Sequence, residues 1–501
     1  MRLSSSVLAP LGATVVVAQN ATASSSMPQV TLDYCTVQAA AANLSAGIYK
    51  YQNVRFAAAP LGDLRFAAPQ WPPVETEVND GTLAVSNVAC TTAEDCLFMD
   101  IYVPANATGK KLPVLQWTYG AGANKSHTTP EGLYDLSKDF IFVTYNYRDG
   151  IAGVANGPTF THEGGATNAA VRDTEQAYKW TRKYISAFGG DPDNIVALAF
   201  SAGSSQTLDQ ITRYGGNAEQ LFARAYLTSP GTVPGAGHQQ AEAFWQNVST
   251  TVGCNGGGLD CMRAVNYTTL NAAVNDVVSL YSYTTQPRVD GDIISDTYEA
   301  EFYAGHYNWT GPLVITHELH EKNSDVTSGI NSTADVADKI RMYFPGITDT
   351  IVDEILALYP ESDYASPGLR FSDIEQSFEL TSHNLALTNG LHNQTWNAMV
   401  ALGEATHGTD QDYYWYSTYA LSGDIQTSPV NVTTARIMQK YLLSFALTGN
   451  PNTLWPNDKM EWPLYNTSTN GVEIVFNTSM YLQADSLANA KSRFWNKALW
   501  Y

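Results

Sequence analysis

The sequence predicts an α/β architecture, a large, mainly parallel sheet covered by helices on both faces, and three observations carry that expectation. Continuous apolar runs of strand length recur at 113–118 (PVLQWT), 140–146 (FIFVTYN), 195–200 (IVALAF), 225–228 and 313–316. Unbroken runs, rather than in–out alternation, are what strands buried on both faces require. Stretches with helical spacing lie between them: Ala177, Trp180, Tyr184 and Phe188 recur every three or four residues, and Leu208 and Ile211 continue a helix after the third run. Gly189-Gly190-Asp191-Pro192 reads as the turn between the earlier helix and that third run. Composition allows a large core, since 44% of the 501 residues are hydrophobic and only 15% are charged. That excludes a disordered chain or one built on heptads.

The N-terminus reads as an export signal over residues 1–18, leaving 19–501 as a single domain. Arg2 precedes a mostly apolar or small stretch that ends in Val16-Val17-Ala18. Twelve Asn-x-Ser/Thr sequons follow, at Asn20, Asn43, Asn106, Asn124, Asn247, Asn266, Asn308, Asn331, Asn393, Asn431, Asn466 and Asn477. Chance placement gives on the order of five, so the excess points to a glycosylated protein of the secretory route. No later apolar run has the length of a membrane anchor. With 27 basic against 48 acidic residues, the net charge is −21. A field of that sign repels nucleic acid and anionic lipid.

Five cysteines fit an oxidising compartment. Cys90 is expected to pair with Cys96 and Cys254 with Cys261, each closing a short loop, with Cys35 left as a buried thiol. No Cys-x-x-Cys or Cys/His cluster suggests zinc. His317-Glu-Leu-His320-Glu321 invites a metal reading, but its second histidine comes one position early for H-E-x-x-H. Neither metal nor cofactor is expected.

The sharpest local feature is Ser201, placed where a buried strand gives way to a helix, with Ala199 and Gly203 two positions to either side. Small neighbours at those offsets are what a strained nucleophile elbow needs. The ordinary alternative is a serine that caps a helix. Upstream, Trp117-Thr-Tyr119-Gly120-Ala121-Gly122-Ala123 forms a small-residue loop after a strand. There, main-chain N–H groups can approach a ligand oxygen unobstructed. A plain tight turn is the alternative, and a dinucleotide fingerprint fails because Lys125 stands where a third small residue belongs.

Several further segments, in order along the chain, show a resemblance. They are Asn53-Val-Arg55-Phe-Ala-Ala-Ala-Pro60-Leu-Gly-Asp-Leu-Arg65-Phe66, Glu94-Asp-Cys96-Leu97, Asn146-Tyr-Arg148, Phe188-Gly-Gly-Asp-Pro192 and Val289-Asp-Gly-Asp292. From about residue 32 to 501 the sequence resembles the type-B carboxylesterase/lipase group of α/β-hydrolases, which includes cholinesterases, and it is most similar to secreted fungal members. The resemblance implies the α/β-hydrolase fold, with long insertions forming a gorge. It places the nucleophile at Ser201, the acid at Glu321 and the base at His407, in Gly403-Glu-Ala-Thr-His407-Gly408. Glu318 competes with Glu321 for the acid role. The resemblance also implies an oxyanion hole of Gly120, Ala121, Gly122 and the N–H of Ala202. Structural ion pairs are implied between Arg55 and Glu94 and between Arg148 and Asp173. Ser229 is expected to support Glu321.

Two departures bear on substrate. Phe200 stands where many members carry a glutamate, which makes the pocket more apolar and disfavours a cationic substrate. Ala199 replaces the first glycine of the elbow. Phe200, Tyr119 and Trp415 are the expected pocket lining, although Tyr413-Tyr-Trp415-Tyr416 also reads as an aromatic strand in the core. Asn124 lies so close to the small-residue loop that its sequon is expected to stay unmodified. The expected function is a secreted serine hydrolase that cleaves carboxylic esters with an apolar part through an acyl-enzyme. The alternatives are a biosynthetic esterase or acyltransferase acting on a secondary metabolite, and an inactive cholinesterase-like binding protein. The last would be marked by a lost triad residue, and none is lost.

Overall fold

A computed structural model describes residues 27–128, 130–232, 237–281, 285–392, 394–421, 430–465 and 471–497. The expected leader and the sequons at Asn20, Asn393 and Asn466 lie outside these. Eleven strands form one sheet. In spatial order they are Tyr481–Ala484, Val472–Phe476, Thr395–Val400, Leu313–Glu318, Arg224–Thr228, Gly190–Phe200, Leu112–Thr118, Ile141–Tyr145, Phe98–Pro104, Ile48–Arg55 and Ala41–Asn43. From Val472–Phe476 to Ile141–Tyr145 every pairing is parallel, and the flanking pairings are antiparallel. The central parallel strands are almost wholly buried, as their unbroken apolar runs predict.

Helices pack against this sheet. Ala169–Tyr184 buries Ala177, Trp180 and Tyr184 at three- and four-residue spacing, and a short 3₁₀ turn, Ile185–Phe188, extends it to Gly189 in the left-handed region. The expected turn at 189–192 is therefore shorter than the sequence suggests. The central strand begins at Gly190 and includes Asp191 and Pro192. A β-carbon on Gly190 would press on Val114 and Ile185, which explains a glycine at that close approach. The helix Val432–Thr448 is capped by the Asn431 side chain, which accepts from the Thr434 N–H, and is stopped by Gly449 at φ 80°. Two separate apolar clusters form in the long insertions. One gathers Phe66, Phe160 and Trp245; the other gathers Phe344, Phe371, Phe378 and Trp495.

Cys90–Cys96 and Cys254–Cys261 are disulfides, and Cys35 is buried and unpaired. Arg148 makes the expected bidentate pair with Asp173, at 2.7 and 2.8 Å, with both side chains buried. The expected Arg55–Glu94 pair does not form. Arg55 instead meets Asp95 at 2.7 Å and Glu75 at 3.4 Å, while Glu94 binds Arg65. Neighbouring acids at 94 and 95 point to different arginines, a split that the sequence leaves undetermined. Asp100, fully buried, contacts both Lys50 at 2.9 Å and Lys125 at 2.6 Å. Those two charges hold its carboxyl below the ordinary value against the opposing effect of burial. Among the sequons, Asn106, Asn266, Asn308, Asn331 and Asn431 are exposed, whereas Asn124 is buried.

Candidate active site

The strand Gly190–Phe200 lies between Leu112–Thr118 and Arg224–Thr228, with Ala199 opposite Thr118 and Phe200 opposite Thr228. The chain then reverses into the helix Ala202–Thr212 through Ser201, whose φ of 55° and ψ of −127° are costly for any residue with a β-carbon. Its N–H donates to the Thr228 carbonyl at 3.0 Å, and its carbonyl accepts from Ser205 and Gly231. This is an elbow and not a simple cap, since the Ser201 side chain makes no capping hydrogen bond. A β-carbon on Gly203 would lie 2.2 Å from the Thr118 carbonyl oxygen and 2.4 Å from that of Tyr119, so only glycine fits there. Ala199 is fully buried within the regular register, so its methyl is accommodated.

Parallel strands open their C-terminal ends at one edge of the sheet, which is where distant residues meet. Glu321 follows Leu313–Glu318 and His407 follows Thr395–Val400. His407 Nδ1 lies 2.6 Å from Glu321 Oε2, and its Nε2 lies 2.7 Å from Ser201 Oγ. Glu321 Oε1 accepts from the Glu318 N–H at 2.8 Å, and the His407 N–H reaches the Glu321 carbonyl at 3.3 Å. With a carboxylate on Nδ1, that nitrogen carries the proton, and Nε2 accepts from the serine hydroxyl. Burial disfavours the imidazolium. Glu321, with charge from Asp410 and Glu379, outweighs burial and holds His407 above the ordinary histidine value.

Phe200 stacks on the His407 ring, with centroids 4.8 Å apart, and fits against Gly120 and Gly408. The small-residue loop passes directly beside Ser201, since a β-carbon on Gly120 would come within 2.9 Å of the serine Cβ. Among the described residues the N–H groups of Ala121, Gly122 and Ala202 donate to no protein acceptor. Asn146 accepts the Lys125 N–H at 2.9 Å and donates to the carbonyls of Val88 and Cys96, tying the loop to the first disulfide. The Tyr147 hydroxyl donates to the Tyr119 carbonyl at 2.9 Å. An elbow hydroxyl, a paired imidazole and unpaired N–H donors together can add a nucleophile to a carbonyl and hold the resulting oxyanion.

Tyr119, Phe200 and Trp415 line one cavity of about 200 Å3, beside Trp117 and Gln411. Trp415 is not on a strand. It ends the short helix Thr409–Tyr414, while Tyr414 is buried with its hydroxyl 2.7 Å from that of Tyr226. The aromatic run therefore divides between pocket and core. Ser229 does not support Glu321. Its N–H donates to the Thr316 carbonyl, and its buried Oγ has no partner. His317 and His320 bind separate partners, Glu473 and Asn323. Sequence reasoning missed Leu380, on the π-helical turn Ser377–Thr381. Its Cδ2 would lie 2.8 Å from a β-carbon on Gly231, which itself would stand 3.6 Å from Ser201 Oγ. Gly231 thus leaves open the space between hydroxyl and leucine, and a lone leucine inside a helical pattern carries no signal of that.

The model of the carboxylesterase family matches residues 26–343. A secreted lipase of Arthroderma benhamiae is 29% identical over 74% of this chain and 75% of its own length. The carboxylesterase patB of Aspergillus clavatus is 26% identical over 95% of this chain and 97% of its own. Among solved structures, EstA of Aspergillus niger superposes with a TM-score of 0.82 at 25% identity, covering 94% of this chain and 98% of that one.

Proposed function

The chain belongs to the carboxylesterase family and is a carboxylic ester hydrolase, and from that premise we propose that it works through an acyl-enzyme formed on Ser201. The observation that carries this reading is the unbroken contact from Glu321 through His407 to Ser201, at 2.6 and 2.7 Å. A serine hydroxyl is a weak nucleophile until a neutral imidazole accepts its proton during attack. His407 takes that proton on Nε2 and later returns it to the departing alcohol, while Glu321 holds Nδ1–H and stabilises the imidazolium. The N–H groups of Ala121, Gly122 and Ala202, with Gly120 opening their approach, receive the oxyanion. Each such donor is worth about 3–4 kcal/mol. Water then attacks the acyl-serine, with His407 again as base.

The substrate is an ester with an apolar part, because the cavity beside Ser201 is walled by Tyr119, Phe200 and Trp415 and, among the described residues, has no carboxylate in its lining for a cation. Two disulfides and a relative named as a secreted lipase favour export, with residues 1–18 removed and 19–501 working as one unit.

Hydrolysis of p-nitrophenyl butyrate is expected to fall as pH drops through the His407 pKa. Because that pKa is raised, the neutral base disappears already above the ordinary value of 6.5. A profile flat through that range and down to pH 4 removes His407 as base. The decisive experiment is reaction with a fluorophosphonate followed by peptide mapping. Modification of Ser201 alone is expected, and modification elsewhere, or none, overturns the reading.

A further inference from the structure

Behind the Ser201–His407–Glu321 contacts lie two more acids, Glu318 and Asp410, both fully buried. The Asp410 N–H donates to Glu318 Oε1 at 2.7 Å, and Asp410 Oδ1 accepts from Gln411. The two oxygens left over, Glu318 Oε2 and Asp410 Oδ2, are sealed from solvent without a partner. The Asp410 N–H on Glu318 Oε1 nevertheless brings the two carboxyls side by side, close enough for each to shift the other's ionisation. Two carboxylates in that position would leave two orphaned acceptors and two adjacent negative charges, each heavily penalised in a dry interior. A single proton removes both difficulties at once.

We propose that Glu318 and Asp410 share one proton and that this acid pair is a positioning device, clamping the loop that carries His407 to the loop that carries Glu321. The clamp has continuous covalent and hydrogen-bonded logic. The Glu318 N–H holds Glu321 Oε1, the Glu318 carboxyl holds residue 410, and residue 410 lies three positions after His407. The inference deepens the reading of Ser201, His407 and Glu321 given above and rests on it for its catalytic consequence, though not for the existence of the proton.

Burial and the neighbouring carboxylates favour a protonated state of the pair, and among the charged groups only a charged His407 opposes it. Glu321 and His407 face it from their two loops, with Glu379 and Lys322 beyond His407. Tyr413 and Tyr414 face it from the helix Thr409–Tyr414, and Tyr226 faces it from the neighbouring strand. The phenols are held neutral by burial, and among the described residues no lysine or arginine makes an ion pair with either acid. Burial first, then the neighbouring carboxylates, raises Glu318 well above the usual carboxyl range; burial pushes Asp410 up to about 7. The two titrate as one unit. As pH rises through its ionisation, a second negative charge appears in the sealed interior, the clamp loosens and turnover falls on the alkaline side.

The test is infrared difference spectroscopy of the full-length protein in H2O and D2O, at neutral pH, on wild type and the E318Q, D410N and S201A variants. Either amide can supply the hydrogen bond that the shared proton supplies, so both variants are built to fold. One protonated-carboxyl C=O band is expected to vanish in E318Q and the same band in D410N, while S201A keeps it. Two different bands lost, or no band lost in either variant, overturns the shared proton. Loss of activity in S201A with the band intact separates this result from the fate of the nucleophile reading. In kinetics, E318A is expected to lower kcat about tenfold or more with little change in KM, since a slightly displaced base is costly. E318Q is expected to recover most of that loss and to abolish the alkaline fall. Equal loss in E318A and E318Q, or an alkaline limb unchanged in E318Q, overturns the positioning role.

Discussion

Ser201→Ala is expected to lower kcat for p-nitrophenyl butyrate by about four to six orders of magnitude, with the unfolding temperature essentially unchanged. The size follows from the proposed reading, in which the three side chains work as a unit. Once the hydroxyl is gone, His407 has nothing to deprotonate, and only the main-chain donors and the pocket continue to favour the transition state. Those contributions leave a residual rate about 10³-fold above water. Adding His407→Ala to Ser201→Ala should therefore cost almost nothing further, because a disabled unit cannot be disabled twice. A loss below about 100-fold for Ser201→Ala would place the nucleophile elsewhere. Stability should hold, because Ser201 is held mainly by its main chain, through the Thr228 carbonyl and the Ser205 and Gly231 N–H groups, and its hydroxyl adds a single hydrogen bond, to His407.

Gly203→Ala is the second large effect, and it strikes fold and chemistry together. The added methyl would sit 2.2 Å from one main-chain oxygen and 2.4 Å from the next, those of Thr118 and Tyr119. Neither is the far end of a flexible side chain. Both belong to the strand end that leads into the Gly120–Gly122 loop, so relief requires the helix Ala202–Thr212 to move away from that loop. Overpacking of this kind costs about 1–3 kcal/mol or more. The same movement separates Ser201 from its donors, and kcat is expected to fall about 100-fold. Thermal unfolding together with kcat checks both halves. A variant with unchanged turnover would show that the elbow geometry is not needed.

Much of this was legible in the sequence because it depended on local chemistry. The buried parallel strands announced themselves as unbroken apolar runs, and Ser201 stood out as a polar residue between a strand and a helix flanked by small residues. The spacing of Cys90 and Cys96, and of Cys254 and Cys261, gave the disulfides. Pairings decided by side-chain direction were not legible. Glu94 and Asp95 are adjacent acids, and which of them meets Arg55 depends on which way the loop faces. Ser229 follows a strand that ends near Glu321, yet its φ of 44° leaves its hydroxyl without a partner. The acid pair of Glu318 and Asp410 joins residues 92 positions apart, and nothing in either neighbourhood signals the other. Resemblance assigned Glu321 and His407; residue spacing alone left Glu318 as a competitor and eight other histidines in play.

The benzyl ring at position 200 has an effect beyond keeping charge out of the pocket. Stacked on the imidazole at an interplanar angle of 30° and braced by two glycines, it leaves the imidazole less room to turn over. In the proposed role of general base, an imidazole held this way loses less entropy on the way to the transition state. The same flat face forgoes the electrostatic grip that a carboxylate would offer a quaternary amine. One side chain that takes no part in any proposed proton transfer thus touches both the imidazole and the pocket wall.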